Sequence, residues 1–364
     1  MLNVEYLQKL AAEFCVPFED ALFIALNLNG IDFNSNSVRM RAQLHLGSEE
    51  LFNYAQSRKE SDYFFALPVQ AESPFKLKDD VLLFDGYKIG KMIGVTDDTC
   101  TSHYWRRGKT SININPNRRT KCHGCEFCYA IYQIPEDNKK LVSEDDFDEF
   151  FKKLLSQYNM TDLSDLIEIS VVTGCYEDGE HLIEALRNLK NVAKGKYGFK
   201  GRIFYLGSQI NTKALADEFA NLGETRLCYS VETFERRELL KPVKRDFELS
   251  DIINLMDYAM TKSVNVNFAY VLGLESLDIV QQYFKMMADH INVFPIVNIL
   301  QIHKGQSISL RTDGADDVRF YLEARKKIEE IFYNTPLRPE VWNNFRSLWT
   351  LKFANEELTG VRIP

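Results

Sequence analysis

From residue 110 onward, short apolar runs of β character alternate with amphipathic helical runs, and this alternation constrains the fold more than any other feature of the chain. Strand-like runs fall at 110–115, 166–173, 202–206, 225–231, 265–272 and 293–300. Helical spacing falls at 143–157, 179–191, 212–221, 248–262, 276–290 and 315–333. Six β–α units in a row predict an α/β fold of parallel strands with right-handed crossovers. Closed or nearly closed, the series is a partial TIM-like (β/α)6 barrel. Opened flat, it is a doubly wound sheet. Periodicity leaves both open.

The flanks read differently. Residues 1–105 form an N-terminal accessory region, mostly helical with a hairpin. Leu7, Leu10, Ala11 and Phe14, then Ala21, Ile24 and Ala25, recur at helical spacing, and Pro17 divides them into two helices. Val81-Leu82-Leu83-Phe84, an Asp85-Gly86 turn and Tyr87-Lys88-Ile89 predict the hairpin. Residues 106–333 hold the barrel. The tail, 334–364, carries Trp342, Phe345, Trp349 and Phe353 and is expected to cap it.

The formal net charge is −8, which argues against nucleic acid or an anionic membrane as the main partner. No stretch has the uninterrupted apolar length that crosses a bilayer. Glu5 stands where a secretion signal carries Lys or Arg, so a cytoplasmic protein is expected. Arg106, Arg107, Lys109, Arg118, Arg119 and Lys121 gather before the central motif. They read as a solvated basic loop or as an anion-attracting rim beside a site.

That motif is Lys121-Cys122-His123-Gly124-Cys125-Glu126-Phe127-Cys128-Tyr129, a CxxCxxC spacing after the first barrel strand. Barrel enzymes place their chemistry at that strand end. Cys122, Cys125 and Cys128 can ligate three irons of a [4Fe–4S] cluster, with no fourth cysteine at a matching distance. The alternative is a structural zinc completed by His123, although no second ligand pair is visible. Cys15, Cys100, Cys175 and Cys228 are isolated and read as small core residues. His103, His181, His290 and His303 show no paired spacing.

Over residues 110–301 the chain resembles the radical S-adenosylmethionine (SAM) superfamily. The family spacing is CxxxCxxC with an aromatic residue before the last cysteine. Phe127 occupies that place here, and the first gap is one residue shorter. Thr173-Gly174-Cys175-Tyr176-Glu177 resembles the family's Gly-Gly-Glu turn, which implies Gly174 and Glu177 at the SAM amino group. Ser230-Val231-Glu232-Thr233 resembles the Leu-Glu-Thr segment of lipoyl and biotin synthase-like members and implies Ser230 and Glu232 at SAM hydroxyls or its amino group. Lys244 or Arg245 resembles the base that pairs with the SAM carboxylate. Val271-Leu272-Gly273-Leu274-Glu275 resembles the adenine-side motif and implies a role for Gly273. Plainer readings stand beside these. Glu232 and Glu275 suit helix N-termini. Gly174 and Gly273 suit strand-to-helix turns. Cys175 is a core residue or, as the catalytic alternative, a hydrogen-atom donor.

The resemblance implies a [4Fe–4S] cluster and SAM as cofactors, with an external donor such as flavodoxin or ferredoxin supplying the electron. Reductive cleavage of SAM would give a 5′-deoxyadenosyl radical that takes hydrogen from a small, anionic substrate carrying a carboxylate or phosphate. Without a second cysteine cluster, rearrangement, fragmentation, cyclisation or epimerisation is favoured. Competing readings are a zinc-stabilised binding protein, a peptide-modifying radical SAM enzyme that uses the N-terminal region, and a methyl-transferring SAM enzyme.

Overall fold

The computed structural model describes residues 2–47, 50–98, 103–116, 124–132, 141–172 and 178–364. Helix α1 (Val4–Glu13) starts at Asn3, whose side chain accepts the Tyr6 amide. Pro17 separates it from α2 (Phe18–Asn29), as expected. Strands β1 (Arg39–Leu46), β2 (Asp62–Pro68), β3 (Phe75–Lys78), β4 (Val81–Phe84) and β5 (Tyr87–Asp97) follow, with the short helix α3 (Asn53–Ser57) between β1 and β2. They pair as an antiparallel sheet in the order β2-β1-β5-β4-β3. The predicted hairpin is β4–β5, and Asp85 and Gly86 both have positive φ, as a tight two-residue turn requires. The region is therefore as much sheet as helix, which corrects the expected mostly helical character. In β1, buried Met40, Ala42, Leu44 and Leu46 do alternate with Arg41, Gln43 and His45, but Arg39 is buried too and blurs the pattern.

A second sheet contains β6 (His103–Arg106), β7 (Ser111–Ile114), β8 (Glu168–Val172), β9 (Arg202–Gly207), β10 (Thr225–Glu232), β11 (Asn265–Leu272) and β12 (Ile296–Ile299). Its order is β12-β11-β10-β9-β8-β7-β6, parallel throughout except for β6, which adds antiparallel to β7. Helices α4 (Glu144–Tyr158), α5 (Gly179–Tyr197), α6 (Lys213–Ala220), α7 (Pro242–Arg245), α8 (Leu249–Thr261), α9 (Leu277–Met287) and α10 (Val318–Phe332) lie between and after the parallel strands. The order never reverses, whereas a doubly wound sheet must. The sheet is thus a curled seven-stranded half-barrel. The β6 edge strand was not legible, because Tyr104 and Trp105 directly precede a basic run that reads as loop.

The two faces of the sheet are chemically distinct. Ile112, Ile114, Ile169, Val171, Ile203, Tyr205, Leu227 and Tyr229 join the main core under the helices. Phe204, Cys228, Ala269 and Ile296 form a separate small cluster on the other, inward face. Near the strands' N-terminal ends the inward face is ionic. Arg202 Nε meets Glu168 at 2.7 Å, and Arg226 Nη1 meets Glu340 at 2.6 Å. Of the isolated cysteines, Cys228 is buried as expected, while Cys15 is exposed at the end of α1. Cys100 and Cys175 lie outside the described residues.

The tail, expected as a cap, runs across the open side of the half-barrel. Asn344 Nδ2 donates to Val297 O at 2.7 Å and the Ile299 amide to Arg346 O at 2.9 Å, on the β12 edge. At the β6 edge, Arg106 Nη1 donates to Asn343 O and Oδ1, both at 3.1 Å, and Phe345 rests 6.2 Å from the Tyr104 ring. Arg106 is therefore a buried strut, and neither reading of the basic run describes it. Arg118, Arg119 and Lys121 lie outside the described residues.

Asp20 anchors this tail. It meets Arg325 of α10 at 2.8 Å and accepts the amides of Thr350, Leu351 and Lys352 at 3.2, 2.9 and 3.3 Å. Both ionic groups are buried, and losing the charge leaves Arg325 with Glu329, at 2.8 Å, as its remaining carboxylate partner. Asp20→Asn is expected to lower unfolding free energy by about 3 kcal/mol. Urea unfolding checks it; a change below about 0.5 kcal/mol would show that the tail is held elsewhere.

Candidate functional site

The cysteine loop leaves β7 and returns over the C-terminal ends of the parallel strands. Gly124 takes a positive φ of 66°, and the Cys128 amide donates to Cys125 O at 2.8 Å, closing a tight turn. Cys125 and Phe127 are buried with Leu239, Leu240, Val271, Leu274, Leu300 and Leu310, and Cys128 is half-buried against them. Those partners lie at or just beyond the ends of β10, β11 and β12. The Glu126 amide donates to Leu239 O at 2.9 Å, and Gln306 Nε2 to Glu126 O at 2.9 Å. Cys122, Gly174, Cys175 and Glu177 lie outside the described residues.

Glu232 ends β10 in the left-handed region, at φ 64°, where the β10–β11 register also shifts. A non-glycine residue held there stores strain of about 1–3 kcal/mol, a pattern typical of functional positions. Lys244 of α7 donates to Glu232 Oε1 at 2.9 Å, and each side chain is only 14% exposed. Burial would lower the lysine pKa; the charges of Glu232 and the Cys125 and Cys128 sulfurs outweigh it and raise it above the ordinary value. Burial pushes the Cys125 thiol up, and Lys244 opposes that. The structure thus brings Cys125, Cys128, Phe127, Glu232 and Lys244 together. Ser230 is buried two residues before Glu232. Arg245 is not brought in: it is exposed and pairs with Asp246 at 2.9 Å.

Gly273 and Glu275 have structural duties. Gly273 has φ 114°, and a Cβ there would lie 2.7 Å from Tyr321 Oη and 3.1 Å from Leu300 Cβ. The buried Glu275 carboxylate accepts the Phe234 and Arg236 amides at 3.1 and 3.2 Å and the Tyr270 hydroxyl at 2.7 Å. It holds the loop after β10, the loop that carries Leu239 and Leu240 to Cys125.

Sequence reasoning missed the supports. Arg237 donates to Thr233 O at 3.3 Å, Phe247 O at 2.7 Å and Lys244 O, stapling α7 beside β10. The Arg236-Arg237 pair directly after the Glu232-Thr233 segment was the only signal for it. Tyr129, next to Cys128, lies under the Arg39 guanidinium at 3.4 Å, beside the His303 ring at 5.6 Å, and donates to Asp98 at 3.3 Å. Asp98 also meets Arg39 Nε at 2.7 Å and Arg41 at 3.0 Å. No local pattern links residues so far apart in sequence.

Asp98 is buried, which alone would raise its pKa, but Arg39 and Arg41 bring it down to about 2. A depressed carboxylate stabilises the fold above its ordinary pKa, and that stability is lost as pH falls toward the folded value. It amounts to about 2 kcal/mol here, about half of it lost between about pH 5 and about pH 3. Asp98→Asn is expected to flatten that acid dependence. Urea unfolding at the two pH values tests this, and an unchanged slope in the variant would refute it.

Among the described residues, no group of three His, Cys, Asp or Glu gathers at metal-ligating distance. Cys125 and Cys128 supply two soft donors in an apolar, cation-flanked pocket, and this donor chemistry fits an iron–sulfur cluster once Cys122 is added. Among the same residues no helix is long and apolar enough to cross a membrane.

No family model and no curated protein matches the sequence. Solved structures of Streptococcus suis SuiB are similar to it. The one bound to S-adenosylmethionine has 17% identity and a TM-score of 0.36, over 50% of this chain and 39% of that chain. The one bound to the precursor peptide SuiA has 16% identity and a TM-score of 0.37, over 52% and 39%. A third SuiB structure has 16% identity and a TM-score of 0.40, over 59% and 45%. This chain therefore spans less than half the length of the SuiB chain in each case.

Proposed function

We propose that this chain is a radical SAM enzyme whose (β/α)6 half-barrel carries a [4Fe–4S] cluster on Cys122, Cys125 and Cys128. One observation carries the reading: two thiols of the CxxCxxC loop lie at the C-terminal mouth of a parallel half-barrel, beside the buried Lys244–Glu232 pair. When bound, the cluster and SAM supply one-electron cleavage chemistry.

The residues of the chain bind, orient and exclude water. Leu239, Leu240, Val271, Leu274, Leu300 and Leu310 keep water from the sulfurs. Lys244, held charged, is the base available to a SAM carboxylate, and Glu232 the acid available to its amino group or hydroxyls. Glu275 and Arg237 set the loop that presents both. An external one-electron donor such as flavodoxin or ferredoxin completes the reaction. The substrate reading is a small anionic molecule, rearranged, fragmented, cyclised or epimerised.

Anaerobic SAM cleavage with mass analysis of the nucleoside tests the class. Brown, iron-loaded protein releasing 5′-deoxyadenosine under dithionite is expected. S-adenosylhomocysteine as product would instead select methyl transfer, and a tightly held zinc without turnover would select a zinc-stabilised binding protein.

A further inference from the structure

Arg346 enters the mouth from the tail. Its carbonyl accepts the Ile299 amide at 2.9 Å, which fixes it at the C-terminal end of β12, level with the end of β11. Its guanidinium has no hydrogen-bond or ion-pair partner among the described residues. It lies within electrostatic reach of Arg39, Glu232, Cys128 and Tyr129. Burial is the largest influence on it and lowers its pKa to about 10, yet the side chain is not fully covered. The guanidinium is thus desolvated without being sealed off, at the mouth of the half-barrel. Lys244 and Glu232, each 14% exposed, share that character.

Among the described residues, the charges around the mouth do not balance. Asp98 meets two arginines, Arg39 and Arg41. Glu232 and Lys244 offset each other's charge. His303 is held neutral, its pKa lowered by burial to about 3. Cys128 is committed to the proposed metal. A desolvated guanidinium that is unpaired among the described residues is unfavourable unless an anion completes it. Its fork matches a carboxylate or a phosphate with two parallel hydrogen bonds.

We propose that Arg346 is the anchor for an oxyanion, a carboxylate or a phosphate, on the substrate, so that the tail which closes the half-barrel also reads the substrate's charge. This deepens the proposed function and rests on it for the identity of the bound molecule as substrate. Tyr129, gripped by Arg39 and Asp98, would form the floor beside it.

Titration calorimetry on the anaerobically purified full chain tests the assignment, with inorganic phosphate and glutarate as probes and SAM in parallel. Wild type is expected to bind at least one probe saturably, and the stronger one names the oxyanion. Arg346→Gln is expected to weaken that binding about tenfold or more, the loss of one charge-assisted pair. Arg346→Lys, which keeps charge but not the fork, should recover part of it. SAM affinity should stay within about twofold in both. Unchanged probe binding in Arg346→Gln overturns the proposal, as does no probe binding to wild type. Loss of SAM affinity with probe binding intact overturns it too, by moving Arg346 to the cofactor. If the protein neither loads iron nor cleaves SAM, the proposed function fails while the phosphate and glutarate titrations still read the oxyanion site.

Discussion

Replacing Cys125 with serine is expected to leave a folded, colourless protein that releases no 5′-deoxyadenosine from SAM under dithionite. A serine hydroxyl is a poor replacement for a thiolate toward iron, and a loop with only two thiols left cannot hold the cluster. Cys125 is 6% exposed and packed on Leu239 and Leu240, so the exchange also places a hydroxyl among apolar atoms. That costs about 1–2 kcal/mol, small against total stability. Loss of iron with a cooperative urea transition therefore separates ligation from folding. Cys128→Ser should match it, with less effect on stability because Cys128 is only half-buried. Iron content and turnover at the wild-type level in Cys125→Ser would end the cluster assignment.

The second large effect is expected from Lys244→Met. Removing the ammonium leaves the Glu232 carboxylate, only 14% exposed and in a strained backbone conformation, without its cation. Breaking one half of a buried pair costs about 3–5 kcal/mol. The double variant Lys244→Met/Glu232→Gln should recover much of this, because no uncompensated charge remains. The pH dependence has a definite sign. A lysine whose pKa is raised by folding contributes fully below its ordinary value of about 10.4 and loses the contribution only as pH rises through the folded value. The deficit in Lys244→Met should therefore be constant between about pH 6 and about pH 9. Urea unfolding of the three proteins across that range checks both points. A deficit that shrank within the window, or a double variant no better than the single one, would mean that Lys244 is not the charged partner of Glu232.

Much of the fold was legible. Each of the six expected strands and helices of the 110–333 region has a counterpart, within a few residues at most ends. The signal is strong because parallel strands covered by helices concentrate apolar residues into runs, and several helical runs open at a capping residue. Ser143, Asp178, Thr212 and Ser276 all cap the helices they precede. The accessory sheet was less legible. Its buried Arg39 and half-buried Arg41 serve Asp98 and Tyr129 rather than solvent, a role that no local pattern marks.

The site divides in the same way. The sequence alone supplied the candidate donors: a CxxCxxC loop after a strand is a local pattern, and so are the Glu232 segment and the bases near residue 244. It could not choose between Lys244 and Arg245, because adjacent positions on a four-residue helix differ only in which side meets the barrel. Tertiary structure places Lys244 on Glu232 and Arg245 in solvent. Nor could it show that Glu275 holds a loop 40 residues earlier in the chain, since that role depends on β10 and β11 being neighbours. Arg39 and Arg346 stand at opposite ends of the chain and reach the mouth only because the accessory sheet and the tail close the half-barrel. A local pattern reports what a residue is made of. Which charges are buried together, and which one lacks a partner among the described residues, is decided by packing.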